Sequence, residues 1–304
     1  VGLAGLRYAI VEMGANSIRF LRPDERNKLV VTTRLGEGIA ENGMLREANM
    51  DRSIKVVRAM AANARHMGFV PAAYATSAVR DAKNQSEFVN RVFEACGVRV
   101  DVLSGEREAE YAFRAAAEPN GGLIDIGGAS FQLVAEGFRM SFPMGCVRGR
   151  DIAQSKANVR SCDECWQKQQ SIIRDEVAGL LRLPRIRIDS WVGVGGTITS
   201  LAAVKLRLNT FDIERVDSAR LTHADIIDLI DELSGLGERR RLDPMLKARH
   251  DVILYGAAIL EAVMDAANIP EISVSTRDGM EGYLDYLETK TSCYVRCSFT
   301  FNLF

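Results

Sequence analysis

Glu12 and Asp125 each close an apolar stretch, and each is followed at the same spacing by a glycine and then a serine. The stretches are Tyr8-Ala-Ile-Val-Glu-Met-Gly-Ala-Asn-Ser-Ile-Arg-Phe20 and Gly121-Gly-Leu-Ile-Asp-Ile-Gly-Gly-Ala-Ser-Phe-Gln-Leu-Val134. They align without a gap, placing Gly14 opposite Gly127 and Ser17 opposite Ser130. Each reads as a strand, a small-residue turn and a second strand. Such a turn lets backbone N–H groups approach a phosphate, and the acid beside it can orient a divalent cation. Two copies predict a duplicated fold that grips a phosphorylated ligand from both sides. Gly14, Asn16 and Ser17 would lie on one side, and Gly127, Gly128 and Ser130 on the other.

A third turn, Val192-Gly-Val-Gly-Gly-Thr-Ile-Thr-Ser-Leu201, runs from a strand into a helix. Gly195, Gly196 and Thr197 would present free N–H groups and a positive dipole end to an anion. It lacks the lysine of a P-loop and the spacing of a dinucleotide fingerprint. Glu108 stands between Glu106 and Glu110, and taken alone the three read as one solvated helix face. Arg19 and Arg80 could each clamp a phosphate through a planar fork or simply form a surface ion pair. Arg239-Arg-Arg241 is a basic run of the kind that is usually solvated but can guide a polyanion.

The elements that must position these groups alternate. Lys28–Arg34 is predicted extended, Glu47–His66 a long amphipathic helix with Ile54, Val57, Met60 and Ala61 on its apolar side, and Phe69–Ala75 a strand. A helix over Ser86–Cys96 is closed by Gly97, Val98–Leu103 is a strand, and Ser104-Gly105 opens a helix over Glu106–Ala117. Glu118-Pro-Asn-Gly-Gly122 is the clearest linker, dividing a domain of residues 1–117 from one of 118–288. The second half restarts with strands at Leu123–Asp125, Phe131–Ala135 and Phe138–Phe142. A helical region over Cys165–Leu181 follows, then a strand at Ser190–Val194, helices to about Asn268, a strand at Ile272–Thr276 and a helix at Met280–Glu288. The segment 289–304 would rejoin the first domain, although Thr291–Phe304 shows no clear period. Alternation of this kind indicates layered α/β architecture.

The 304 residues suffice for two domains, and 47% hydrophobic with 26% charged residues is ordinary for a soluble globular protein. A net charge of −1 gives no bulk field for nucleic acid or an anionic membrane, so neither is expected as a partner. Without a spanning apolar run or a signal-like start, a cytoplasmic location is the default expectation. Six cysteines do not make a disulfide scaffold; Cys162/Cys165 and Cys293/Cys297 could in principle share zinc, but reduced thiols are the plainer reading. His66, His223 and His250 show no ligand spacing.

The three turns in this order resemble the phosphate-1, phosphate-2 and adenosine motifs of the actin, hexokinase and heat-shock chaperone superfamily. Within it the chain resembles the exopolyphosphatase and guanosine pentaphosphate phosphohydrolase family. Further matches are Arg34-Leu-Gly-Glu-Gly38, Ala75-Thr-Ser-Ala-Val-Arg-Asp81, Leu103-Ser-Gly-Glu-Arg-Glu-Ala109, Pro143-Met-Gly-Cys-Val-Arg148 and Arg249-His-Asp-Val-Ile253, so the likeness spans about residues 8–288. It implies an α/β fold of two similar actin-like (ribonuclease H-like) domains around a central cleft. It also implies Mg²⁺, held at Glu12 and Asp125, and water attack on a terminal phosphoanhydride with Glu108 as base. The implied substrate is inorganic polyphosphate or guanosine pentaphosphate. A homodimer is implied as well, and on that the composition is silent.

Several positions depart from the family pattern. Glu12 and Ala15 stand in a turn that usually reads Asp-x-Gly-Ser-Asn-Ser, and Ala129 and Gln132 in one that usually reads Asp-Ile-Gly-Gly-Gly-Ser-Thr-Glu. Ser275-Thr-Arg-Asp-Gly-Met-Glu-Gly282 keeps only part of Gly-Leu-Arg-Glu-Gly. These changes set a hydrolase of reduced activity, or a binding regulator, beside the full enzyme. A sugar kinase of the same superfamily lacks support, because no sugar-binding signature is present.

Overall fold

The computed structural model describes residues 7–118, 120–135, 137–181, 188 and 190–300, the side chains of 292–300 excepted. Its first half runs β1 (Tyr8–Met13), β2 (Ser17–Leu21), β3 (Leu29–Thr32), α1 (Ile39–Asn42), α2 (Glu47–His66), β4 (Val70–Ala75), α3 (Ser77–Arg80), α4 (Gln85–Cys96), β5 (Val100–Val102) and α5 (Gly105–Ala116). The chain continues with β6 (Gly122–Ile126), β7 (Phe131–Ala135), β8 (Phe138–Phe142), α6 (Cys146–Ala157), α7 (Trp166–Leu180), β9 (Trp191–Val194) and α8 (Gly195–Lys205). It ends with α9 (Ile213–Val216), β10 (Arg220–Thr222), α10 (His223–Leu236), a 3₁₀ turn (Gly237–Leu242), α11 (Ile253–Ala266), β11 (Glu271–Val274) and α12 (Gly279–Thr300).

Two sheets carry the site. The first has the order β3-β2-β1-β4-β5, and the second β10-β11-β9-β6-β7-β8. In each, an antiparallel meander is followed by parallel strands on the far side of the founding strand: β4 pairs parallel with β1, and β9 with β6. Strands buried on both faces explain the near-continuous apolar runs of β1 and β6. The same meander register sets Glu12 opposite Arg19 and Asp125 opposite Gln132. The founding acids therefore sit at corresponding places, but they face different partners.

Helix α2 buries Met50, Ser53, Val57, Met60, Ala61 and Ala64 at helical spacing, against the first sheet's core. The Ser104 hydroxyl caps α5 by accepting from the Arg107 N–H at 3.3 Å. One face of α5, with Ala109 and Ala112, joins Leu123, Val134, Val192 and Val194 of the second sheet. Its other face turns Tyr111 toward Met280 and Tyr283 of α12, in a cluster with Ile10, Leu21, Tyr74 and Leu103 of the first half. Helices α5 and α12 thus tie the halves together. Burying side chains such as Met280 and Tyr283 contributes about 1.5–3 kcal/mol each.

Besides the short helices α1 and α3, where the sequence predicts a loop and a turn, three further elements differ from the expectation. Helix α6 was not anticipated, because Cys146, Val147, Gly149, Arg150, Ala153 and Ala157 are buried around it and leave no single apolar stripe. A three-residue strand, β10, interrupts the expected run of helices and pairs antiparallel with β11. Helix α12 begins at Gly279 and its backbone stays helical to Thr300, through a stretch without apolar period. Cys293 and Cys297 lie outside the described side chains. No described helix is long and apolar enough to cross a membrane.

Candidate active site

A cavity of about 80 Å³ lies where the ends of β1, β6 and β9 converge. Thirteen of the residues expected from sequence line it: Glu12, Gly14, Asn16, Ser17 and Arg19 from the first turn and hairpin; Asp125, Gly127, Gly128 and Ser130 from the second; Gly195, Gly196 and Thr197 from the third; and Glu108 from α5. The two hairpin turns are built alike. The Gly14 N–H donates to the Ser17 carbonyl at 3.1 Å, and the Gly127 N–H donates to the Ser130 carbonyl at 3.0 Å. In the third turn Gly195 has φ +85°, and a Cβ there would sit 2.4 Å from Asp125 Oδ1. Only glycine combines that backbone with room for the carboxylate.

Arg80 alone of the expected site residues does not line the cavity. It stands behind Glu108, its Nη1 donating to Glu108 Oε2 at 3.0 Å and to the Leu103 carbonyl at 2.9 Å. Arg19 bonds Glu12 through Nε, and through Nη1 it reaches Asp278 Oδ2 at 2.5 Å. Asp278 also receives Lys28 Nζ at 2.9 Å and the Met280 N–H at 3.0 Å. Burial works against the charge of Asp278, but Arg19 and Lys28 outweigh it and hold its carboxyl below the usual range.

Two carboxyls face the cavity with their charge disfavoured. Burial pushes Glu108 up to about 7, with Arg80 opposing the shift. Burial, then the nearby Asp278 and Glu108, push Asp125 up to about 8. Asp125 makes no side-chain hydrogen bond or ion pair to any described residue. A divalent cation would reverse its situation. No group of three or more His, Cys, Asp or Glu suited to a metal occurs among the described residues. Mg²⁺ commonly uses one or two protein carboxylates, with phosphate oxygens and waters completing its shell. Asp125 fits that mode, whereas Glu12 is engaged by Arg19.

Gln132 is buried where its hairpin position corresponds to Arg19. Its amide donates to Ser130 Oγ at 2.9 Å and Ser141 Oγ at 3.3 Å, while its Oε1 has no partner. Ala15 and Ala129 both join the buried apolar cluster under the first sheet.

The family profile described as the Ppx/GppA phosphatase family matches residues 16–291. The chain belongs to that family. Exopolyphosphatase 2 of Mycobacterium tuberculosis is 26% identical over 92% of this chain and 98% of its own length. An exopolyphosphatase-like protein of known structure superposes with a TM-score of 0.84 at 23% identity, covering 92% of this chain and 98% of its own. The exopolyphosphatase of Cytophaga hutchinsonii gives a TM-score of 0.79 at 22% identity, with the same coverages. These structures show that the chain shares their α/β fold.

Thr76, Ser77, Cys146 and Arg249 also line the cavity, although in sequence they figure only within longer stretches and not as site residues. All four lie inside stretches that match the family, and that was their only signal. Burial lowers Arg249 from its ordinary value, and Cys146 and Arg19 act on it next. In the basic run Arg240 is 2% exposed and donates to the carbonyls of Leu233 and His250 and to Asp163, so that side chain is structural. Arg241 pairs with Glu238.

Proposed function

We propose that the protein hydrolyses the terminal phosphoanhydride of inorganic polyphosphate, with Glu108 as general base. The observation that carries this reading is a buried carboxyl tuned to about 7, beside a cavity framed by three small-residue turns. The terminal phosphoryl group would rest against the N–H groups of the turns and the guanidinium of Arg19. Water attacks its phosphorus, the bond to the bridging oxygen breaks, and the electron pair leaves on the shortened chain. Glu108 takes one proton from the attacking water, and orthophosphate is the product. Arg80 holds the Glu108 carboxylate in place from behind. Mg²⁺, when bound at Asp125, would neutralise phosphate charge as the leaving oxygen becomes negative.

We further read the two sheets as two similar ribonuclease H-like domains divided near residues 117 and 118, with α12 returning to the first. The cavity would be the floor of the cleft between them. Matching hairpins and turns support that reading.

The test is orthophosphate release from polyphosphate and from guanosine pentaphosphate with Mg²⁺, comparing wild type with Glu108→Ala. Turnover no higher than that of the variant would remove the hydrolase reading; preference for the pentaphosphate would replace the substrate.

The pH profile supplies a second prediction. Glu108 must be ionised to accept a proton, so kcat/KM is expected to fall about tenfold per unit as pH drops below about 7. A profile flat from pH 5 to 8 would exclude Glu108 as the titrating base. A third concerns the metal. Asp125→Asn is expected to raise the Mg²⁺ concentration for half-maximal rate by roughly tenfold or more. An unchanged Mg²⁺ titration would move the ion elsewhere.

A further inference from the structure

We infer that Asp278 is a positioning residue for Arg19, and that Asp278 and Glu12 form a clamp matched in side-chain length. The inference rests on reading the cavity as a phosphate site. Arg19 sits on β2 directly across from Glu12 on β1. Its Nε is taken by Glu12 and its Nη1 by Asp278. Its Nη2 meets no hydrogen-bond acceptor among the described residues, and the residue lines the cavity. Two carboxylates therefore fix the plane of the guanidinium and leave one edge to the ligand.

Asp278 is well placed to be the rigid member. It is 3% exposed, its Oδ1 caps the Met280 N–H at the start of α12, and its own N–H donates to Glu281 at 2.9 Å. Lys28 bridges Asp278 and Glu281 at 2.9 Å each and bonds the Thr276 carbonyl as well. An arginine held on two sides has lost its rotamer freedom before a phosphate arrives, so less is lost on binding.

The length match follows from two departures already noted. The first turn carries Glu12 where the family pattern has Asp, and the last motif carries Asp278 where the pattern has Glu. Against that pattern one carboxylate is longer by a methylene and the other shorter by one, on opposite sides of the same guanidinium. Read singly, each change displaces a charge. Read together, they shift the clamp while preserving its span.

The test is a double-mutant cycle on Glu12→Asp and Asp278→Glu. Tripolyphosphate binding is followed by calorimetry, polyphosphate kcat/KM by phosphate release, and folding by melting temperature. Each single variant is expected to weaken tripolyphosphate binding by about tenfold, the worth of one charge-assisted hydrogen bond, and the double variant to return within about threefold of wild type. With Arg19→Lys in the background, the same changes should no longer couple. Asp278→Asn keeps an acceptor for the Met280 N–H but removes the charge paired with Arg19 and Lys28, so its melting temperature should fall. Measured well below that temperature, where the variant stays folded, tripolyphosphate binding should also weaken about tenfold, an outcome a purely structural aspartate would not give.

Additive losses in the double variant, or single variants that bind as wild type does, would overturn the clamp. Coupled binding without phosphate release would remove the hydrolase reading and leave the clamp standing. Hydrolysis with additive losses would do the reverse. No tripolyphosphate binding by wild type would overturn the clamp, and with no phosphate release either, the hydrolase reading as well.

Discussion

Glu108→Gln is expected to lower kcat for phosphate release by about 10²–10⁴-fold while making the folded protein more stable above neutral pH. Both effects come from one environment. The carboxyl is 15% exposed, and its value rises from 4.5 to about 7 on burial. A carboxyl with a raised folded-state value binds its proton more tightly in the folded chain than in the unfolded one. Folded stability therefore declines as pH climbs from about 4.5 to about 7, and the deficit persists at higher pH. Glutamine carries no charge to desolvate, and its Oε1 can still accept from Arg80. At pH 8 the variant should gain on the order of 1–3 kcal/mol, which raises the melting temperature by several degrees. Below pH 4.5 the two proteins should melt alike. Calorimetric melts at pH 4 and pH 8, alongside kinetics, check this. Undiminished turnover would dismiss Glu108 as the base, and an equal melting temperature at pH 8 would dismiss its charge burial.

Gly282→Ala is expected to be strongly destabilising for the addition of one methyl group. A Cβ at Gly282 would lie 2.0 Å from the Tyr111 carbonyl oxygen and 2.6 Å from its carbon, both backbone atoms. No side-chain rotation relieves such a contact, so α5 and α12 would have to separate. Alanine's better helix propensity returns about 1 kcal/mol, less than the strain. The net loss should be about 2–4 kcal/mol, or roughly 3–6 °C in melting temperature. Function should suffer too. Tyr111 lies one turn beyond Glu108, and Gly282 one turn beyond Asp278, so parting these helices moves Glu108 away from Arg19 and Asp278. A melt within 1 °C of wild type would show that the helices do not cross this closely, since a neutral change shifts stability by no more than about 0.5 kcal/mol.

The hairpin turns were legible because each is local. Acid, glycine and serine fall within six residues, and the backbone bonds from Gly14 to Ser17 and from Gly127 to Ser130 close inside the same segment. Helix α2 was legible for a similar reason, since its buried positions recur on one face. Contacts between distant segments were not. Arg19 meets Asp278 across 259 positions, and Arg80 meets Glu108 across 28, so nothing in either neighbourhood names its partner. Helix α6 was hidden by the opposite circumstance: it is buried on several sides, and Arg150 is held there by Asp251 at 2.8 Å. A polar residue satisfied inside a protein looks, in sequence, like a surface residue.

Ala15 and Ala129 belong to turns from different sheets, yet both are buried in one apolar cluster, at 3% and 1% exposure. That shared burial has a consequence for the ensemble of shapes the protein can sample. Any arrangement that parts the two turns returns these methyl groups to water, at about 0.8 kcal/mol for each, and so becomes about fourfold rarer per methyl. A serine hydroxyl at position 15 or a glycine at 129 would exert no such pull. In this chain the two alanines weight the conformational equilibrium toward the arrangement in which the turns already face one another.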